Sequence, residues 1–168
     1  MSDISALRQL AVASLRAEAQ QQVEAKQRAS SVAFEIKALA SRINEWIRIL
    51  NQGASLGTTL AYLEERPSEI RMLMVGSSET ISVLDIDVTI GAKTLCIRLK
   101  DFAFGDDVVA EVFGPHRRYE LRLSDSWGVY RQRSDIPDGI FDLEGPAPLD
   151  SNTFVELGTA LFEDSNWR

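Results

Sequence analysis

Apolar residues recur along this chain in two periods, and the change falls near position 52. From Val32 the large apolar residues are Val32, Ile36, Leu39, Ile43, Trp46 and Leu50, spaced four and three apart. That spacing lays a stripe along one side of an α-helix and matches a heptad seam. Phe34, Ile47 and Ile49 widen the stripe, and a wide apolar face beside a globular region packs onto its own domain. Continued toward the N-terminus, the seam runs through Ala29, Ala25, Gln22, Glu18, Leu15 and Ala11. Its apolar character fades there, because residues 18–29, EAQQQVEAKQRA, hold one large apolar residue, Val23. It returns as Ile4, Leu7, Leu10 and Leu15. All ten glycines and all five prolines lie after position 52, so nothing breaks a helix before that point. The pattern predicts one helix over 1–52, with 31–52 packed on the domain and 1–30 projecting or associating.

Beyond position 52 the period shortens to two. Residues 58–65, TTLAYLEE, read as a short helix closed by Pro67, and 69–76 as a strand. Leu84, Ile86, Val88 and Ile90 alternate with polar residues, as do Leu95, Ile97 and Leu99 after Gly91-Ala92. A two-residue loop with Gly first suits a type II′ hairpin turn. That register sets Val88 opposite Leu95, Ile86 opposite Ile97, Leu84 opposite Leu99, and Asp85 opposite Arg98 on the outer face. Ile81 and Val83 are out of phase with the run from Leu84 to Ile90, which predicts a bulge near Val83-Leu84. A second hairpin is expected around Gly114-Pro115-His116-Arg117, with Val108, Ala110 and Val112 facing Leu123, Leu121 and Tyr119. WGVYRQR (127–133) comes next as another strand.

Residues 134–149 read as an acidic loop broken by Pro and Gly. A last helix comes after it, capped by Asp150 and stapled by Leu149 and Phe154. The fold class expected is α+β, with a long N-terminal helix, an antiparallel β-meander of five or six strands, and a C-terminal helix packed on one face. The domain itself spans 53–168.

The net charge of −7 is unevenly placed. Residues 1–52 carry seven basic and five acidic side chains, residues 53–133 ten and twelve, and residues 134–168 one and eight. An acidic chain lacks the broad basic surface that sequence-independent nucleic-acid binding needs. One cysteine, Cys96, excludes a disulfide within the chain and a multi-cysteine zinc site. A reducing, cytoplasmic setting is expected. No basic run leads into an apolar core at the N-terminus, and no apolar run is long enough to span a bilayer.

Motif chemistry is sparse. Asp85 and Asp87 share a strand face, but Arg98 and Lys100 sit opposite and make cross-strand ion pairs the simpler reading. A nuclease-type site would need an acid where Arg98 stands. His116 is the only histidine, in an expected turn. Cys96 lies mid-strand and reads as an inert thiol. Asp135, Asp138, Asp142 and Glu144 do not have the spacing of a calcium loop, and no phosphate-binding glycine motif occurs. No metal or cofactor is assigned.

The chain supports three functional readings. The first is a non-enzymatic interaction, adaptor or assembly protein, which associates with itself or with another protein through Ile4, Leu7, Leu10 and Leu15. The second is an acidic inhibitor or immunity-type protein that meets a basic partner through Asp135, Asp138, Asp142 and Glu144. The third is a phosphate-ligand or nucleic-acid module on a sheet face bearing Arg117, Arg118, Arg122, Arg131 and Arg133, with aromatic residues interleaved.

Overall fold

The computed structural model describes residues 2–53, 59–113, 119–132 and 143–163. It is an α+β fold in the order α1 (Ser2–Gln52), β1 (Ala61–Met74), β2 (Ser77–Ile90), β3 (Lys93–Leu99), β4 (Phe102–Ala103), β5 (Val108–Phe113), β6 (Tyr119–Leu123), β7 (Trp127–Gln132), β8 (Leu143–Pro148) and α2 (Ser151–Glu163). The strands form one sheet ordered β4-β1-β2-β3-β5-β6-β7-β8.

Helix α1 runs unbroken for 51 residues, a length of roughly 77 Å at 1.5 Å per residue. Its two halves differ in surroundings. Val32, Ile36, Leu39, Ala40, Ile43 and Ile47 are buried in the core, and Ala25 is the first buried residue met from the N-terminus. The side chains of residues 3–24 are all exposed.

The sheet curls around the inner half of α1. β4, at one edge of the sheet, and β7, next to the other edge, both touch this helix. At one end Arg28 stacks over Phe102 of β4, 6.0 Å from the ring centre. Toward the other, the Trp127 indole N–H of β7 donates to the Glu35 carbonyl at 3.4 Å. The concave side carries Ile86 and Val88, Leu95 and Ile97, Val108 and Ala110, Leu121 and Leu123, Trp127 and Val129, all buried. At the end of α1, Asn51 fixes the returning chain. Its Oδ1 accepts from the backbone N–H of Leu60 and Ala61, both at 3.0 Å, and its Nδ2 donates to the Ala61 carbonyl at 2.8 Å.

Both hairpins have the expected register, although the β2–β3 ladder ends at Ile86↔Ile97, short of the expected Leu84–Leu99 and Asp85–Arg98 pairs. Ile86 pairs with Ile97 and Val88 with Leu95, and Val108, Ala110 and Val112 pair with Leu123, Leu121 and Tyr119. Among the described residues Gly91 has φ +60 and no residue other than glycine has positive φ, which fits a II′ turn and excludes I′. The loop around His116 lies outside the described residues. Helix α2 is capped as expected, the Thr153 N–H donating to Asp150 Oδ1 at 2.9 Å. That bond holds the Asp150 carboxyl below the usual range. Leu149 and Phe154 are both buried beside the cap.

Four expectations are corrected. Of the short helix expected over 58–65, residues 61–65 are strand instead, part of a 14-residue strand that runs through Pro67. Pro67 is accommodated because β1 meets β4 only at Met72 and Leu73, so its missing N–H falls on an open strand edge. No bulge interrupts β1 and β2, whose register is continuous from Ala61↔Ile90 to Met74↔Ser77. The phase change is instead a change of buried face. Ala61, Ile86 and Val88 are buried on one side of the ribbon, Ile70, Met72, Ile81 and Val83 on the other. Two-stranded ribbons twist strongly, which lets both faces find the core in turn. The sheet has eight strands and is mixed, since β4 pairs parallel with β1. Finally, part of the expected acidic loop is strand β8, paired with β7. Pro146 and Pro148 fit there because β8 is an edge strand.

Candidate interaction surfaces

The first surface is the outer half of α1. Ile4 is 72% exposed, Leu7 66%, Leu10 68% and Leu15 66%, with Val12 and Val23 also open. Leucine and isoleucine this exposed, along one continuous helix, lose the transfer free energy that burial provides, about 1.5–3 kcal/mol for each side chain. Single exposed apolar residues are ordinary, but a contiguous set marks a contact surface.

The second is a groove of about 320 Å³ between the end of α1 and α2, lined by Trp46, Ile49, Leu50, Phe154, Val155 and Phe162 among others. Trp46 and Phe154 stack at its floor with ring centres 5.3 Å apart. Ile49 and Val155 stand at its rim, 57% and 62% exposed. This groove was not anticipated from sequence. The available signal was that Ile49 and Val155 fall off the buried stripes of their helices.

The expected arginine face does not assemble among the described residues. Arg122 lies on the outer side of β6, where its guanidinium bonds Glu120 Oε2 at 3.0 Å and lies 4.4 Å from the Tyr130 ring centre. Glu120 is itself buried. Arg131 pairs across the sheet with Tyr119 and shares the concave side with Trp127 and Val129, where it forms an ion pair with Glu156 of α2. The two arginines are thus on opposite faces, and each is engaged within the fold. Arg117, Arg118 and Arg133 lie outside the described residues. So do Asp135, Asp138 and Asp142, and Glu144 is placed only through its backbone in β8.

Asp85 and Asp87 take part in cross-strand ion pairs. Arg98 Nε lies 3.9 Å from Asp85 and Arg66 Nη2 lies 2.7 Å from Asp87, while Lys100 meets Glu111 at 2.8 Å. Cys96 sits opposite Asp87 in the ladder. Burial, and then the Asp87 carboxylate, push its thiol up, which keeps it protonated and weakly nucleophilic. Among the described residues no three His, Cys, Asp or Glu side chains cluster as a metal site. No described helix is long and apolar enough to cross a membrane. Comparison with known protein families, with characterised proteins and with solved structures returned no match.

Proposed function

We propose that this chain is a non-enzymatic assembly protein that associates through the outer half of α1, with a second copy as its partner, and holds its domain at the end of that rod. One observation carries this reading: the exposed Ile4, Leu7, Leu10 and Leu15 on a helix whose inner half is buried in its own domain. The projecting half belongs to the same unbroken helix as the buried half, and its apolar residues return at Ile4, Leu7, Leu10 and Leu15 beyond the polar stretch 18–29. A partner that covers them supplies the burial that this half lacks.

Light scattering on a dilution series of the full chain tests the proposal. The expected result is a mass approaching twice that of one chain at high concentration and falling toward one chain on dilution. A single-chain mass throughout would count against it.

A further inference from the structure

Most of β1 is an edge of the sheet, because β4 pairs with it only at Met72 and Leu73. The bonds along β1 say which of its backbone groups face outward. Ala61 bonds Asn51 through both its N–H and its carbonyl. The Arg71 N–H donates to Asp101 Oδ1 at 2.7 Å, and the Leu73 carbonyl accepts from the Phe104 N–H at 2.7 Å. All three residues sit at odd positions, and none of these partners belongs to β2. Alternate residues of a paired antiparallel strand turn their backbone groups to the same side. Leu63, Glu65, Pro67 and Glu69 therefore also turn theirs away from β2. Among the described residues, the outer edge of β1 is capped at both ends and open between, over residues 63–69.

An open strand edge is a template for another strand, and two copies of one edge can pair antiparallel across a two-fold axis. With the two open stretches in full overlap, Leu63 falls opposite Glu69 and Glu65 opposite Pro67. Arg66 meets Arg66 at the axis, each held by Asp87 of its own β2 at 2.7 Å. The fault in this ladder is Pro67. It has no N–H to give the Glu65 carbonyl opposite, and its ring stands where that donor would approach. The fault occurs twice, once from each copy. The far edge of the sheet is closed in a similar way. The Leu149 N–H donates inward to the Trp127 carbonyl at 3.3 Å, so Pro148 turns outward. Pro148 has no N–H, and its carbonyl is taken by Thr153 Oγ1 at 2.8 Å and the Asp150 N–H at 3.1 Å.

We infer that Pro67 guards a latent strand-pairing interface on the outer edge of β1, and that the occupant it excludes is the same edge of a second copy. Pro67 is exposed, and its backbone nitrogen faces away from β2, so the fold loses no ladder bond to it and does not require proline there. A β-branched residue suits an extended backbone and supplies the missing donor. This edge and the outer half of α1 are separate surfaces, so the guard does not depend on the helix contact.

Two full-length chains test this. The parent carries Leu7→Glu and Leu15→Glu, which remove the proposed helix contact, and the second carries Pro67→Val as well. Sedimentation equilibrium reads association, and amide hydrogen exchange locates it. Pro67→Val is expected to strengthen self-association at least about tenfold over the parent. It is also expected to slow exchange at residues 63, 65, 67 and 69 as the protein is concentrated, with a melting temperature in dilute solution no lower than the parent's. Equal association constants, no association of either chain at about 1 mM, or stronger association without protection over 63–69 would overturn the guard. So would a lower melting temperature, since Pro67 would then serve the fold rather than the edge. None of these outcomes bears on the helix contact, which the dilution series of the natural chain decides.

Discussion

Replacing Leu7 and Leu15 together by Glu is expected to weaken self-association by at least about a hundredfold while leaving the melting temperature of the dilute protein unchanged. The magnitude comes from burial. Each leucine covered in a contact contributes about 1.5–3 kcal/mol, and a two-fold contact loses both residues from both copies. A loss of about 3 kcal/mol already exceeds a hundredfold in an equilibrium constant. The fold is spared because both side chains are about two-thirds exposed, at 66% each, and because Glu is as good a helix former as Leu. Sedimentation gives the first quantity and thermal unfolding monitored by circular dichroism gives the second. Unchanged association would exclude this surface as the contact.

Leu39→Ala is expected to do the reverse. Leu39 is fully buried on the inner half of the same helix, among Ile36, Ala40 and Ile43. Truncating a leucine in such a core costs about 2–5 kcal/mol, through lost transfer energy and the cavity left behind. Domains of this size are stable by about 5–15 kcal/mol in total, so at the middle of both ranges roughly a third of the margin goes. The melting temperature is expected to fall by roughly 10 °C, measured by calorimetry at a concentration where association is negligible. Leu7→Ala on the outer half serves as the matched control and is expected to leave the melt of the dilute protein in place. The same chemical change, at two positions on one helix, separates a core residue from a contact residue. Equal effects at both positions would mean that the outer half packs on its own domain.

The features legible in the sequence are those where two local signals agree. The stripe from Val32 to Leu50 combines heptad spacing with an unbroken run free of Gly and Pro, and Val32, Ile36, Leu39, Ile43 and Ile47 are buried as that pattern requires, whereas Trp46 is half-buried and Phe34, Ile49 and Leu50 stay exposed. The hairpin at Gly91-Ala92 combines turn chemistry with alternation on both flanks, and its register is the one expected. Both expectations concern neighbours close in the chain. The misreadings have tertiary causes. TTLAYLEE has acceptable helix propensity, but pairing of Ala61, Leu63 and Glu65 with Ile90, Val88 and Ile86 makes it strand, because sheet contacts override weak local preference. Pro67 has the look of a helix stop and is a strand residue on an open edge. In β8 the prolines conceal a strand whose only pairing partner among the described residues is β7, supplied by the fold. Arg131 departs from expectation for a simpler reason. It shares parity with Trp127 and Val129, and that parity points to the concave side, where Glu156 meets it.

The candidate surface obeys the same logic in reverse. Ile4, Leu7, Leu10 and Leu15 stand out because nothing nearby in sequence explains them, and in the folded chain they remain uncovered. The groove beside Trp46 is hidden from sequence because it needs two helices, from opposite ends of the chain, brought together over Ile90.

Amide hydrogen exchange along α1 at two protein concentrations tests the division of this helix most directly. The amides of residues 32–47 are expected to exchange slowly and equally at both concentrations, since their protection comes from the chain's own core. Those of residues 4–22 are expected to exchange fast in dilute solution and to slow markedly when the protein is concentrated, as the second copy covers them. Protection of residues 4–22 that is the same at both concentrations, whether high or low, would contradict the division into a core half and a contact half.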